Sequence, residues 1–384
     1  MPSDSAFILY YSFRIPYKGL VFLKENNHYT AGYNLLVEIL NNESIPVSRQ
    51  IKEIKVVTDS FDITISNSEY SQALLTFNLD SGEYRIITSL QDFNSTGEKR
   101  IPAERINTRE ATESVLEPMI IFDKMSECES DRLFRLANFG ETLPFGRESY
   151  DLLIPVADTS VSKLEIIISN KSDTLLKRNL NEFLVTPINL KECNDEILID
   201  FEGNNIYKNF ILKDFSFLLN EDNYQLGINL PGKEEKPVKY PLAVNWINKP
   251  FSLRDPLYAL NLINLIESDS VFSLLMEESA GSPKEILYKY WEKIDPTPST
   301  AFNELMYEYY LRVDYVLKNF STISGKSGVD TDRGRVFVKY GKPDKIIRSS
   351  NEDGEVVEKW YYLNKDISFT FVDDRGTGDF RRIE

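Results

Sequence analysis

Between Pro256 and Gly325 the apolar residues recur at helical spacing, whereas on either side of that interval they alternate in twos. A period of 3.6 buries one stripe of a helix and a period of two buries one face of a strand. The change of period therefore divides the chain into a long β-rich front, a helical interval and a short β-rich end.

In the front, Ala31, Tyr33, Leu35, Val37 and Ile39 alternate with mostly polar neighbours, as on a strand with one face on a core. Residues 7–11 and 19–23 are aromatic or apolar and are broken by Pro16 and Asn26-Asn27. After a turn at Asp80-Ser81-Gly82 the alternation returns with Tyr84, Ile86, Thr88 and Leu90. These short strands predict a β-sandwich over about residues 5–103. A polar stretch over 94–109 marks a boundary, and further strands are expected at 119–122, 149–154, 164–168, 197–201 and 223–230, forming a second sandwich. The last of them, with Tyr224, Leu226, Ile228 and Leu230, echoes the pattern that begins at Tyr84 and hints at duplication.

The chain turns polar at Lys233-Glu234-Glu235-Lys236-Pro237, and helices follow. Leu257, Leu260, Ile263, Leu265 and Ile266 make one apolar face, and Pro283 is placed to open a helix that carries Ile286, Leu287, Tyr290 and Trp291. A longer helix, capped by Ser299 or Thr300, carries Phe302, Leu305, Met306, Tyr309, Val313, Val316 and Phe320 as one stripe. After Gly325, strands are expected at 335–340, 345–348, 356–362 and 367–372 in one antiparallel sheet. The expected fold is mainly β: two Ig-like antiparallel sandwiches (1–105 and 106–240), a helical region (241–324) and a small α+β module (325–384).

With 384 residues, 42% of them hydrophobic, each part can hold a core, and a formal net charge of −16 disfavours nucleic acid or an anionic membrane as partner. Aromatic residues at 12% and a mean hydropathy of −0.32 speak against both a disordered chain and a membrane-embedded one. No apolar run approaches the roughly 18 residues that a spanning helix needs. Met1-Pro2-Ser3-Asp4 lacks the basic start and apolar stretch of a signal peptide, so an exported protein of this sequence is expected to be the processed form. Charge is uneven: residues 325–384 carry twelve basic and twelve acidic side chains, with Arg333, Arg335, Lys339, Lys342, Lys345 and Arg348 close together, read here as a solvated strand face.

His28 is the sole histidine and is expected in a surface turn, which leaves a Ser-His-Asp triad or a His-rich zinc site without material. Cys128 and Cys193 have no partner at metal-ligand spacing; they either form one disulfide or stand as two buried thiols, the second being favoured. Asp330, Asp332 and Asp344, with Asp373, Asp374 and Asp379, lack the spacing of a calcium loop. Gly325-Lys326-Ser327 has Phe320 where a phosphate-binding loop needs its first glycine, and after Gly376-Thr377-Gly378 Arg381 stands where a dinucleotide motif needs its third. No cofactor and no metal is expected.

The densest run of structure-forming residues is Trp291, Asp295, Pro296, Asn303, Glu304 and Arg312, leading into Gly328, Thr331, Asp332, Arg333, Gly334, Arg335, Tyr340, Gly341, Pro343 and Asp344, and then Trp360. Thr331 and Asp332 can accept backbone N–H bonds at a turn, Gly334 permits a positive φ, and Arg335 can fork onto Asp332 or Glu304. Gly341 to Asp344 makes a tight turn, and Trp291, Tyr309, Phe320 and Trp360 form the apolar body between helix and sheet. This run resembles the GWxTD-domain family of bacterial envelope proteins, of the kind found in Bacteroidetes and Chlorobi, over about 100 residues from Lys284 onward, with Val329 where the family's namesake Trp stands. The resemblance implies an N-terminal sandwich region, a C-terminal module and, as is usual in the family, export to the envelope, and it carries no biochemical activity; the residues themselves give the motif a structural role. The small module is also similar in layout to the α+β domains of outer-membrane assembly lipoproteins.

The function expected is that of a non-enzymatic envelope protein that docks protein partners, located in the periplasm or at the outer membrane and associated with a membrane only through a removed lipid anchor or a partner. The alternative is an extracytoplasmic polysaccharide-binding protein or hydrolase using carboxylates and aromatics such as Tyr361 and Tyr362. A third class is a structural part of an assembly, whose sign is a terminal strand, residues 7–11, without a partner in its own domain.

Overall fold

A computed structural model of the chain describes residues 7–66, 68–108, 115–123, 134–137, 142–171, 173–232, 237–279 and 281–383. Met1 to Asp4, Lys233 to Lys236 and Cys128, on which expectations above rest, lie outside the described residues. The chain divides into two compact units, Met1–Asn248 and Lys249–Glu384.

The first part of the N-terminal unit contains β1 (Phe7–Pro16), β2 (Leu23–Glu25), β3 (His28–Asn41), β4 (Pro46–Thr58), a short helix α1 (Phe61–Thr64), β5 (Tyr70–Leu79), β6 (Glu83–Asp92) and β7 (Glu98–Asn107). β3 is central: it pairs with β4 on one side and with β6 on the other, and β7 extends the sheet beyond β6. Tyr33, Leu35, Val37 and Ile39 point from β3 into a core shared with Leu75, Phe77 and Leu79 of β5, so the alternation read in the sequence is the packing itself. β1 pairs with β5 along its whole length, from Phe7 opposite Leu79 to Pro16 opposite Tyr70. Residues 7–11 thus have a partner in their own domain, and the sign of a strand offered to a neighbour is not met. His28 opens β3 rather than sitting in a turn, exposed and paired with Asp59.

The second part holds β8 (Met119–Asp123), β9 (Phe134–Leu136), β10 (Thr142–Pro144), β11 (Asp151–Val156), β12 (Leu164–Ser169), β13 (Thr174–Leu180), β14 (Phe183–Pro187), β15 (Asn189–Cys193), β16 (Glu196–Asp200), β17 (Ile206–Leu212), β18 (Asn223–Asn229) and β19 (Val238–Asn245). They form a seven-stranded sheet, β14-β17-β11-β8-β9-β16-β15, and a five-stranded one, β10-β19-β18-β12-β13. Leu152, Ile154 and Phe210 of the first sheet share a core with Ile166, Leu226 and Val244 of the second. β11 is buried at every position because the other face of its sheet packs a second cluster, which includes Leu153, Ile121 and Ile199 and takes in Leu74 of β5. The echo between β6 and β18 does not extend to the domains: the β10–β19 pair is parallel and the strand orders differ. Two central strands simply share the pattern of any strand with one buried face.

The hairpin β15–β16 turns through Asn194 and Asp195, both at positive φ, as a two-residue antiparallel turn requires. This hairpin meets the first sandwich. Glu192 accepts from the Leu74 N–H at 2.8 Å and pairs with Lys52 at 3.0 Å, Gln72 donates to the Asp195 carbonyl, and Tyr10 donates to Asn189 at 2.9 Å. Cys193, at the end of β15, is disulfide-bonded, which corrects the two-thiol expectation. A thiol assay on the denatured, unreduced protein is expected to find no free thiol, and two equivalents after reduction; free thiol before reduction would contradict the structure.

The C-terminal unit contains α2 (Pro256–Asn261), α3 (Asp269–Glu278), α4 (Pro283–Glu292), α5 (Glu304–Asn319), α6 (Asp332–Tyr340), β20 (Lys345–Ser350), β21 (Val356–Tyr362), β22 (Ile367–Asp373) and β23 (Arg381–Arg382). Pro283 opens α4 behind a Ser282 cap, as expected. The cap of α5 is Asn303, not Ser299 or Thr300, and the Thr300 hydroxyl instead donates to the Thr297 carbonyl in the preceding turn. The larger correction concerns 335–340, expected as a strand and found within α6, while β20 to β23 form the antiparallel sheet without it. Val336, Phe337 and Val338 are all buried, so the segment is apolar on more than one side, and alternation cannot report which element it forms. No helix among the described residues is long and apolar enough to cross a membrane.

Candidate functional site

The motif residues converge on two centres of the C-terminal unit. In the first, Asn303 caps α5 by accepting the Met306 N–H at 2.8 Å and donates its amide to the Trp291 carbonyl at the end of α4, 2.9 Å away. One side chain thus satisfies a helix N-terminus and a helix C-terminus. Trp291 lies among Tyr290, Tyr309 and Tyr310, and its indole donates to the Tyr310 hydroxyl at 3.4 Å. Tyr310 in turn donates to the Ala259 carbonyl at 2.8 Å and Tyr290 to Glu267 at 2.7 Å. Burial pushes all three phenols well above the ordinary tyrosine pKa. Asp295 accepts from the Thr297 N–H at 2.8 Å in the turn that also holds Pro296, and Glu304 and Arg312 lie on α5, Arg312 paired with Glu308 at 3.0 Å. Asn303→Ala is expected to lower stability by about 1–2 kcal/mol, since the cap of α5 and one of the bonds to the Trp291 carbonyl are lost together, the Ile294 N–H remaining on that carbonyl at 3.2 Å. A loss below 0.5 kcal/mol in urea unfolding would contradict the double role.

The second centre is built on α6. Thr331 caps this helix by accepting the Gly334 N–H at 3.0 Å while its hydroxyl donates to the Gly328 carbonyl at 2.7 Å. Gly334 is needed for closeness rather than for φ: a Cβ there would stand 1.9 Å from the Gly328 oxygen, and one on Gly328 would stand 2.1 Å from the Val316 oxygen of α5. Asp332 accepts the Arg382 N–H at 2.8 Å, which ties the start of α6 to β23. At the other end Gly341 has φ +80°, its carbonyl accepts from the Tyr362 hydroxyl at 2.9 Å, and Tyr340 packs on Tyr362 and Phe369. Beyond buried Pro343, Asp344 accepts the Leu363 N–H at 2.7 Å.

The arginine that reaches a buried carboxylate is Arg333, whereas Arg335 is exposed. Arg333 is buried; its guanidinium donates to Glu358 and to the Gly378 carbonyl, both at 3.2 Å, and stacks 3.8 Å from the Phe380 ring. Glu358 also accepts from Arg348 at 2.7 Å and from the Trp360 indole at 3.1 Å. Burial lowers the pKa of Arg333, and Glu358 opposes that shift. Asp373 accepts the Thr377 and Gly378 N–H groups at 3.1 and 2.8 Å and so holds the loop that presents the Gly378 carbonyl. Phe320, Phe337, Trp360 and Phe371 surround this network; Trp291 and Tyr309 belong to the other centre. The basic residues therefore do not form one strand face. Arg333 is internal, Arg348 is paired with Glu358, and Arg335, Lys339, Lys342 and Lys345 are exposed.

Sequence reasoning missed Glu358. Its signal was present: in the alternation of β21 it falls on the same face as Trp360 and Tyr362, a charged residue at a core position. Of the acidic residues weighed for metal or acid–base chemistry, Asp332, Asp344 and Asp373 accept separate backbone N–H groups, and Asp379 pairs with Lys326 at 3.0 Å. No group of three ligating side chains occurs among the described residues.

Residues 259–380 match the GWxTD domain family. The chain carries a GWxTD domain. Both centres lie within the GWxTD domain, with Val329 buried in the turn between α5 and α6. No curated protein matches the chain. Among solved structures it is similar to a β-glycosidase from Bacteroides vulgatus at 11% identity and a TM-score of 0.17, over 63% of this chain and a quarter of that one.

Proposed function

We propose that the chain is a non-enzymatic cell-envelope protein that docks a protein partner through its sandwiches and its GWxTD domain. The observation that carries this reading is β20: it ends the four-stranded sheet, and every one of its residues from Lys345 to Ser350 is exposed. An exposed edge strand offers a row of backbone donors and acceptors to an extended segment of another chain. The disulfide at Cys193 supports an oxidising, extracytoplasmic compartment. The backbone partners of Asp332, Asp344 and Asp373 and the cation on Asp379 suit a structural role for these side chains rather than catalysis.

The test is capture from the native envelope at moderate salt with the tagged full chain and with Ile347→Asp, which places a charge on the exposed strand. A stoichiometric protein retained by the wild type and lost from the variant supports the reading. Retention of glycan alone would replace it with the polysaccharide-binding alternative, and a protein retained equally by both would remove β20 from it.

A further inference from the structure

At one end of the first sandwich, where β3, β6 and β7 meet, lies a cavity of about 370 Å³. Arg85 and Arg105 both line it, and they are directly opposed across the β6–β7 pairing. Like charges directly opposite on a sheet are destabilising, and in a chain of net charge −16 carboxylates to neutralise them are plentiful. Yet neither guanidinium forms an ion pair among the described residues; the contact of Arg85 is with the Ser44 hydroxyl at 3.4 Å. Glu104, next to Arg105 in sequence, is paired with Ile86 on the core side of the sheet, within electrostatic reach of Tyr11. Glu83, the one carboxylate among the lining residues, accepts from the Asn42 amide at 3.2 Å. Two cationic forks therefore line one recess with their donors unmatched by charge; Asn41, Asn42, Ser44 and Asn107 add amides and a hydroxyl, and Tyr84 and Ile106 an apolar side. Guanidinium groups take carboxylate and phosphate oxygens in a fork, and amides and hydroxyls take sugar hydroxyls.

We propose that this cavity binds an oxyanion carried on a small hydroxylated molecule, of the acidic-sugar or sugar-phosphate class, with Arg85 and Arg105 holding the anion. The site lies outside the GWxTD domain and is independent of the docking role of β20. It is tested by calorimetric titration of the full chain at low ionic strength with sodium phosphate, sodium glucuronate and glucose. Saturable binding of phosphate or glucuronate but not of glucose is expected. Arg105→Gln or Arg85→Gln should weaken it at least tenfold, and Arg105→Lys should retain part of it. Because Arg105 is exposed and faces a like charge, Arg105→Gln should unfold at or slightly above the wild-type temperature, so lost binding is not lost folding. Binding of glucuronate alone would assign the anion to a sugar carboxylate, and of phosphate alone to a phosphate ester. Absence of saturable binding by both anions, or equal binding by Arg105→Gln and the wild type, would overturn the proposal.

Discussion

Gly334→Ala is expected to destabilise the C-terminal unit by about 3 kcal/mol or more, against a helix propensity that favours alanine over glycine by about 1 kcal/mol. The two effects have opposite signs, and geometry decides between them. An added Cβ at position 334 would stand 1.9 Å from the Gly328 oxygen and 2.9 Å from Thr331 Oγ1, inside any real contact distance. The Gly328 carbonyl cannot retreat, because it accepts from Thr331, and Gly328 is itself packed against the Val316 carbonyl of α5. Relief therefore means moving α6 away from α5 and opening the stack that includes Tyr315 and Phe337, whose rings lie 4.6 Å apart. Gly328→Ala should also be strongly destabilising, because its Cβ would stand 2.1 Å from the Val316 oxygen of α5. Urea unfolding followed by tryptophan fluorescence in a Trp246→Phe background leaves Trp291 and Trp360 as reporters of this unit. A Gly334→Ala protein as stable as its parent would mean that the close approach is absent in solution.

The same region shows why some features were legible in the sequence and others were not. β3 was legible because its fourteen residues bury one face and leave the other mostly polar, a pattern no helix reproduces. α6 was not, because Val336, Phe337 and Val338 are buried together under two neighbouring elements. What makes this segment helical is its start, where Thr331 supplies a cap and Gly334 allows α6 to approach the Gly328 turn. The motif glycines were visible, but positive φ, the usual reason for a glycine, applies to Gly341 and not to Gly334. The disulfide at Cys193 lies beyond sequence reasoning, since a separation of 65 positions between the two cysteines says nothing of whether they meet.

Removal of the Glu358 carboxylate, 2% exposed, should have a large effect. Glu358→Ala is expected to cost about 3–5 kcal/mol, because it leaves the buried Arg333 guanidinium without its hydrogen-bonded carboxylate. Arg348→Ala, which removes the other cation on the same carboxylate, should cost less than about 1 kcal/mol. The difference follows from exposure: the Arg348 side chain is 72% exposed and keeps its hydration without Glu358, whereas that of Arg333 is 11% exposed and loses its hydrogen-bonded carboxylate, keeping only the more distant charge of Asp373. The Gly378 carbonyl and the Phe380 ring remain around Arg333 in the variant, and neither carries a countercharge. Equal losses for the two variants would show that Arg333 reaches water by another route. The double variant Arg333→Met with Glu358→Leu separates stability from specificity. Apolar pairs of similar volume often match or exceed a buried ion pair, so most of the lost stability should return. If it does, the ionic pair is not needed to hold the GWxTD domain together. Its remaining work is geometric: one carboxylate fixes Arg333 on α6, Arg348 on β20 and Trp360 on β21, and so sets how the helix and the edge strand are placed on one sheet.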